Sequence, residues 1–362
     1  MKQKKELIQP NTTKNKDHTW PPEPLKIETL KRIRGRLRID WRKPNVFMPI
    51  GHRGSGKSAT LENIATNYVQ KASLIDVFSA WDNESLTWLK FQGAKVILVT
   101  GENVSLKSSW KYKSTDNLTL NDIIASDMII SCPSFFSPRK QFYKCINKIC
   151  FDLLPQRRNW KHPMFLLGRE IASLLYSRLQ VVKDSASAKA EIIEFLRQSR
   201  HMGVAVGVDT IRYTSTDADL RAVIDYLFIK GTGIEGLPKD YLRFLYMYIH
   251  PATVDTLKPS RAIILSKQRP ISISRIEYPW WHKEEKTDIM QELGIQPIYG
   301  DPTQEEKIDT KLVVTKDMHK EIVRLWSWGE TYEQIAVNEN IKVSQRTVGD
   351  HVRRHKANTC DC

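Results

Sequence analysis

The chain has 362 residues, of which 41% are hydrophobic and 27% are charged, with a formal net charge of +15. This length suffices for two or three domains with buried cores, and the composition is that of a globular protein. The first residues lack the apolar block of a signal peptide, and the sequence has no run of about 18 apolar residues, so we expect a soluble protein that is neither secreted nor membrane-spanning. The five cysteines, an odd number, indicate reduced thiols and a cytoplasmic location. The positive charge favours a polyanionic partner such as nucleic acid.

Residues 1–44 form a basic N-terminal arm in which Lys and Arg outnumber Asp and Glu. The arm contains the cluster KRIRGRLR, from Lys31 to Arg38, and the turn-forming sequence WPPEP. Two interpretations stay open, a solvated terminus and a contact for the phosphate backbone of DNA.

From residue 45 to about residue 236, short apolar runs alternate with longer helical stretches, which is typical of a parallel α/β sheet. Residues 237–282 are expected to complete the same P-loop domain, which spans 45–282. Several of these runs are apolar throughout, as expected for strands covered on both faces. Helical spacing predicts amphipathic helices over 141–154 and 188–202. The predicted strands are 46–50, 73–78, 95–100, 128–132, 164–168, 204–209 and 226–230, with two more in AIILSK and ISISRI.

A phosphate-binding motif follows the first of these strands. Gly51, Gly56, Lys57 and Ser58 fit the pattern G-x-x-x-x-G-K-S between a strand and a helix. Glycines let successive backbone amides turn toward an anion, and the positive end of the helix points to the same place. Lys57 can reach the β- and γ-phosphates, and the Ser58 hydroxyl can bind magnesium.

The motif therefore predicts a site for ATP and Mg²⁺, and residues 51–58 are called the phosphate loop below. The alternative is a tight glycine turn with an exposed lysine. The predicted nucleotide contacts are Gly51, His52, Arg53, Gly54, Ser55, Gly56, Lys57, Ser58 and Ala59, with Ser58 as the metal ligand.

Hydrolysis also needs a carboxylate near the magnesium and a group that orients the attacking water, usually at the ends of neighbouring strands. Two predicted strands end in suitable residues. One is MFLLG, which is followed by Arg169 and Glu170, and the other is VAVGV, which is followed by Asp209 and Thr210.

The arrangement over about 45–236 resembles the FtsK and HerA class of DNA-pumping P-loop ATPases, particularly archaeal and viral packaging-type members. The stretch FLRQSRHMGVAVGVDT is similar to the sensor unit of that class. The resemblance implies that Glu170 polarises the water and that Thr210 is the sensor. It also implies a homo-oligomeric ring, such as a hexamer, and duplex DNA as partner.

The sequence departs from that class at Arg169, where an aspartate is expected. Either Asp209 or Asp76 supplies the missing carboxylate, or hydrolysis is weak. Glu170 itself could instead be a carboxylate that complements a helix N-terminus. Ring ATPases of this class complete a neighbour's site with an arginine, and Arg212 and Arg221 are the candidates. His52 and Arg53 are expected to face solvent or a neighbouring subunit.

Residues 283–314, acidic and interrupted by Pro297, Gly300 and Pro302, are predicted to be a linker. Beyond it, residues 315–357 show an apolar stripe for one helix, and Thr331 and Gln334 form a capping box for a second. A third helix follows, and residues 358–362 are a tail. The stretches TYEQIA and VSQRTVGDHV resemble a helix-turn-helix domain.

In that geometry the N-terminal residues of the third helix contact base edges and later residues reach phosphates. The alternative is a small helical bundle that docks a protein. The predicted DNA contacts are Gln345, Arg346, Thr347, Arg353 and Arg354.

The sequence as a whole predicts a RecA-like P-loop NTPase core with a parallel sheet, followed by a small all-α helix-turn-helix domain. The predicted function is ATP hydrolysis coupled to binding or translocation of DNA. The alternative is a nucleotide-gated DNA-binding regulator with weak or no hydrolysis.

Overall fold

The computed structural model describes fourteen stretches of the chain, which hold the larger α/β unit and part of a small helical unit. Contacts divide the chain into Met1–Ile298 and Tyr299–Cys362. The described residues are 19–77, 84–101, 104–131, 144–156, 163–169, 185–211, 213, 218–232, 247–267, 270–282, 289–299, 316–327, 329–336 and 345–356. No helix within these ranges has the length and apolar character needed to cross a membrane.

Within the described residues, eleven strands form one sheet in the order β1-β12-β11-β10-β2-β9-β8-β3-β7-β4-β6. Strands from β10 to β6 are parallel, and β11, β12 and β1 extend the sheet with antiparallel pairs. The strands are β1 (Ile27–Arg34), β2 (Val46–Ile50), β3 (Ser73–Asp76), β4 (Val96–Thr100), β5 (Val104–Lys107), β6 (Tyr112–Ser114), β7 (Met128–Ser131), β8 (Met164–Gly168), β9 (Val204–Val208), β10 (Tyr226–Ile229), β11 (Arg261–Ser266), β12 (Ile271–Ile276) and β13 (Gln296–Tyr299).

The central strands β2, β8 and β9 are buried along their whole length, which explains their unbroken apolar sequences. The predicted mixed α/β fold with a mostly parallel sheet is thus confirmed. Among the described residues, the helices of the larger unit are α1 (Lys57–Tyr68), α2 (Leu120–Ala125), α3 (Ser185–Gln198), α4 (Ala218–Val223), α5 (Pro251–Asp255) and α6 (Ile289–Glu292), with a 3-10 turn over Glu84–Lys90 and a π-helical run over Asn147–Leu153.

Two segments differ from their sequence-based assignment. Part of the basic arm, Ile27–Arg34, is the edge strand β1 and pairs antiparallel with β12. Part of the predicted linker forms α6 and the strand β13, which pairs with β5 in a two-stranded sheet. Residues 289–298 are grouped with the larger unit, and the bounds of the linker stay a prediction.

The smaller unit contains three described helices, α7 (Lys316–Ser327), α8 (Tyr332–Ala336) and α9 (Gln345–Lys356). The predicted capping box is present at the start of α8, where the Gln334 amide donates to the Thr331 hydroxyl over 3.3 Å and the Thr331 amide donates to the Gln334 side chain over 2.9 Å. The three helices share a core of Ile322, Leu325, Ile335, Val348 and Val352.

Helix α1 packs closely against the sheet at Gly207 in β9. A Cβ atom at this position would lie 2.8 Å from Leu61 Cδ2 of α1 and 3.1 Å from Phe165 Cζ of β8. The absence of a side chain at Gly207 thus leaves the space that Leu61 and Phe165 occupy.

A Gly207→Val substitution is therefore expected to overpack this contact and to lower the free energy of unfolding by about 1–3 kcal/mol. The measurement is the urea midpoint with the m-value held constant. A midpoint unchanged from that of the parent would contradict the close approach of α1 to the sheet.

Candidate nucleotide-binding site

The phosphate loop joins the carboxyl end of β2 to the first turn of α1. Gly54 and Gly56 have φ angles of +76° and +81°, in the left-handed region that favours glycine. A Cβ atom on Gly56 would lie 2.9 Å from the Pro259 carbonyl oxygen, so a side chain there has neither the backbone conformation nor the space. The backbone conformation of the loop therefore requires glycine at both positions.

The loop presents the N-terminus of α1 without a side-chain cap. Gly56 is the N-cap residue and has no side chain that could accept a hydrogen bond, and the Thr60 amide donates to the Gly56 carbonyl over 3.1 Å. The amides of Lys57, Ser58 and Ala59 belong to the first turn, whose amides precede the hydrogen-bond ladder of a helix and point out of its N-terminus. Together with the helix dipole, they favour an anion at this point.

A buried hydroxyl lies inside the loop. Ser55 is 2% exposed, and its Oγ has no hydrogen-bond partner among the residues that the structure describes. A Cβ atom on Gly51 would lie 2.5 Å from this oxygen, so the glycine keeps the space above it open. An unsatisfied hydroxyl and uncapped amides around an open cradle fit a phosphate group.

The remaining loop residues lie at the mouth of the cradle. The Lys57 ammonium donates to the His52 carbonyl over 3.1 Å, and Ser58 is half-buried in the first turn. His52 and Arg53 are exposed, in agreement with their predicted position. The residues present thus suit a nucleoside triphosphate, with Lys57 for its phosphates and Ser58 for a magnesium ion.

Two strands flank β2 and bring their carboxyl ends to the loop. On one side, the Gly51 amide donates to the Thr210 carbonyl over 3.3 Å, just beyond β9. On the other side, the His52 amide donates to the Gly231 carbonyl over 3.0 Å, just beyond β10. Asp209 and Thr210 are each 4% exposed, so the structure brings both candidates next to the phosphate loop.

Arg169 follows β8, one strand further from β2, and is the centre of a buried ionic network. Its side chain is 3% exposed. The guanidinium lies 2.9 Å from Glu62 of α1, 3.1 Å from Asp76 of β3 and 2.8 Å from Glu84 of the 3-10 turn. This ionic network of Arg169, Glu62, Asp76 and Glu84 ties α1 to strands β3 and β8.

Two further side chains complete the hydrogen bonding of these carboxylates. His282 Nδ1 lies 2.8 Å from Glu62, and Trp88 Nε1 donates to Asp76 over 2.9 Å. Burial alone would lower the pKa of His282, but the hydrogen bond and charge of Glu62 outweigh it and raise the pKa. Burial would likewise raise the pKa of Glu62, and Arg169 and His282 reverse this and lower it. Burial does raise the pKa of Asp76, although Arg169 opposes it.

This network bears on the departure at Arg169. Three carboxylates from other elements surround the Arg169 guanidinium and compensate its charge. Asp76 is fully buried and accepts from Arg169 and Trp88 through Oδ2, while its Oδ1 has no hydrogen-bond partner among the described residues. The two alternatives for the missing carboxylate, Asp209 and Asp76, both stay predictions.

Three candidates are not placed at the loop by the described residues. Glu170 and Arg212 lie outside those residues. Arg221 is described in α4, where its guanidinium lies 5.7 Å from the centroid of the Tyr213 ring. The predicted roles of these three residues stay predictions.

The predicted DNA contacts lie on the last helix of the smaller unit. Gln345, Arg346 and Thr347 form the first turn of α9, and Arg354 lies in its last turns. The Arg353 guanidinium pairs with Asp350 over 2.6 Å and its side chain is 72% exposed. The five positions therefore share one helix, and their predicted role stays a prediction.

Sequence reasoning missed Glu62, His282 and Lys230, which the fold brings to the loop or to the ionic network. Lys230 ends an otherwise apolar strand directly before a glycine, and a lone lysine at that position is a signal that can be read from sequence. Glu62 and His282 carry no comparable signal, because their partners lie on distant segments of the chain.

Neither a protein-family model nor a curated protein matches this sequence. Among solved structures, the plasmid coupling protein TrwB in complex with ADP and Mg²⁺ matches over 72% of this chain and 96% of its own, with 11% identity and a TM-score of 0.50. The DNA-packaging ATPase B204 from Sulfolobus turreted icosahedral virus matches over 66% of this chain and 100% of its own, with 18% identity and a TM-score of 0.39. The conjugation coupling protein TcpA of pCW3 matches over 77% and 72%, with 12% identity and a TM-score of 0.39.

At these identities the likeness concerns the fold alone. Of the three, only TrwB reaches a TM-score of 0.50. Its likeness and the strand order agree with a mixed α/β fold that has a mostly parallel central sheet.

An Arg169→Asp substitution, which supplies the carboxylate expected from the resemblance, is predicted to destabilise the protein rather than to raise its activity. It removes the cation shared by three buried carboxylates, at a cost of about 3–5 kcal/mol. The measurement is the urea midpoint, with Arg197→Asp in α3 as control, because the ion pairs of Arg197 with other described residues are exposed. Full stability together with faster hydrolysis in Arg169→Asp would contradict the structural role of Arg169.

Proposed function

We propose that this chain is an ATPase that acts on DNA and belongs with the DNA-translocating P-loop motors. The observation that carries the proposal is the phosphate loop, with an uncapped helix N-terminus and the buried Ser55 hydroxyl, flanked by Asp209 and Thr210 at the end of the next strand. A polar strand end beside a phosphate loop is where a P-loop hydrolase places the groups that act on its nucleotide.

The residues of the phosphate loop have different roles in nucleotide binding. The amides at the start of α1 and Lys57 hold the phosphates, and Ser58 holds magnesium, which neutralises phosphate charge when bound. Asp209 is the nearest candidate for the carboxylate that supports the metal, and Thr210 is the candidate sensor. Glu170 is proposed to orient the attacking water.

DNA binding is proposed for two basic surfaces. In β1, Lys31, Arg32 and Arg34 are exposed at the edge of the sheet, and basic residues continue beyond the strand. In the smaller unit, α9 carries Arg346 in its first turn and Arg353 on its surface. Contacts of β1 with phosphates would be independent of sequence, whereas α9 would supply contacts with bases in the manner of a helix-turn-helix domain.

A homo-oligomeric ring, such as a hexamer, is proposed on the basis of the resemblance to FtsK and HerA ATPases. In such a ring, Arg212 or Arg221 would complete the site of the neighbouring subunit, because transition-state charge spreads over the γ-phosphoryl oxygens.

The alternative function is a nucleotide-gated regulator that binds one DNA sequence through α9 and hydrolyses ATP slowly. The observation that favours it is the arginine at position 169, where motors of the class have an aspartate. The ionic network weakens this argument for a regulator, because the carboxylates around Arg169 neutralise its charge.

ATP turnover by the purified chain is expected to rise at least about tenfold on addition of duplex DNA of any sequence. A Lys57→Ala variant should lose nucleotide binding, because the phosphates lose their lysine, and a Glu170→Gln variant should bind ATP without turnover. The measurement is phosphate release, with ATP affinity determined in parallel. Slow turnover that responds to one DNA sequence only would identify the regulator, and unchanged ATP affinity in Lys57→Ala would refute the proposed site.

Replacement of Gln345 and Arg346 by alanine is expected to reduce discrimination between DNA sequences, by about 1–3 kcal/mol for each base that the protein no longer reads. Replacement of Lys31 and Arg32 by glutamine should instead weaken binding to all sequences and lower the salt slope by about one for each charge removed. Fluorescence anisotropy over a range of salt concentrations distinguishes the two. Equal effects of both double variants on every sequence would argue against base reading by α9.

A further inference from the structure

Lys230 lies directly beyond β10 and borders the phosphate loop from the side opposite to β9. Strand β10 runs parallel to β2, with Ile229 opposite Ile50, and the Lys230 amide donates to the Ile50 carbonyl over 2.9 Å. A Cβ atom on Gly51 would lie 2.8 Å from Lys230 Cβ. The side chain of Lys230 therefore begins next to Gly51, the first glycine of the phosphate loop.

The side chain of Lys230 is buried together with its charge. The residue is 0% exposed, and among the residues that the structure describes its ammonium has a single hydrogen-bond acceptor, the Pro259 carbonyl, at 2.5 Å. That carbonyl also lies against Gly56, at the other end of the loop. The stem and ammonium of Lys230 thus extend alongside the phosphate loop from Gly51 toward Gly56.

A buried ammonium with one neutral acceptor is costly unless an anion is close. Burial first, and the charge of Lys57 second, lower the pKa of Lys230 to about 7. Lys57 and Lys230 repel each other across the phosphate loop. A bound polyanion attracts both charges and therefore stabilises this arrangement.

We propose that Lys230 is a second phosphate-binding lysine, whose ammonium supports the nucleotide phosphates from the β10 side of the phosphate loop while Lys57 binds them from α1. The inference rests on the proposed nucleotide binding and assigns to this site a residue outside the G-x-x-x-x-G-K-S motif. The expected ligand is the phosphate chain of a nucleoside di- or triphosphate.

A purely structural role for Lys230 is the competing explanation. In that role the ammonium only fastens the Pro259 segment to the sheet, and its removal lowers stability without a specific effect on nucleotide. The two roles differ in one further property. A lysine with a low pKa takes up a proton when phosphate binds to its charged form, whereas a structural contact leaves proton uptake unchanged.

Within the part of the chain that the structure describes, the titratable side chains around Lys230 come from three segments. Lys57 belongs to α1, the His52 ring lies against Gly231, and the Tyr278 hydroxyl lies against Gly56. Removal of Lys230 alone separates its contribution from those of its neighbours.

The experiment is calorimetric titration of the full chain with Mg-ATP at about pH 6 and about pH 8.5, each in two buffers of different ionisation enthalpy. In the parent, the Lys230 pKa rises on binding, so affinity is highest below about pH 7 and falls by up to tenfold per pH unit above it. Binding near pH 8.5 should take up a proton, and binding near pH 6 should take up less.

The test variant is Lys230→Met, which keeps the apolar stem and removes the charge. We expect its affinity for Mg-ATP near pH 6 to fall about 10- to 100-fold, as for the loss of one charged hydrogen bond, and its proton uptake near pH 8.5 to disappear. The matched control is Lys258→Met, which removes an exposed lysine next to Pro259 and should leave affinity and proton uptake unchanged.

Lys230→Met affinity within twofold of the parent, with the same proton uptake, would overturn the inference while leaving the proposed function intact. If Lys230→Met does not fold, as judged by its thermal midpoint, the measurements on the parent protein decide. Equal proton uptake by the parent near pH 6 and near pH 8.5 would overturn the inference. A parent that does not bind Mg-ATP at either pH value would refute the proposed function itself, and the inference with it.

Discussion

The nucleotide site depends on one constraint, the fixing of an uncapped helix N-terminus at the carboxyl edge of a parallel sheet. Strand β2 leads into the phosphate loop, and backbone hydrogen bonds from Gly51 and His52 attach the loop to the ends of β9 and β10. Gly207 lets α1 lie close to the sheet. The loop is thus held on both sides, and amides that are fixed before binding favour an anion.

The ionic network around Arg169 is the second fixed point of α1. It replaces the aspartate expected after β8 with a cation that joins carboxylates from α1, β3 and the 3-10 turn. Such a buried cluster contributes little net stability compared with an apolar core, but the loss of one member is costly. The arginine is therefore compatible with a phosphate-binding site, because its charge is neutralised within the core and does not oppose magnesium.

The sequence predicted the parts of the fold that carry strong local patterns. Buried strands such as β2 and β8 are unbroken apolar runs, and the phosphate loop follows from its motif. The edge strand β1 was missed because it is exposed and basic, and α6 and β13 were missed because their segment is acidic and contains Pro297. The partners of Arg169 lie up to 107 positions away, and the register of Lys230 beside Gly51 depends on the pairing of β10 with β2, so no local pattern reveals either.

The central claim is that the amides at the start of α1 bind phosphate. Hydrogen–deuterium exchange of peptides that cover residues 51–62, with and without Mg-ATP, tests it most directly, because bound phosphate protects the amides that donate to it. We expect slower exchange from Gly54 to Ala59 in the presence of Mg-ATP, with exchange in α9 of the smaller unit as an internal reference. Unchanged exchange over the phosphate loop at a saturating nucleotide concentration would contradict it.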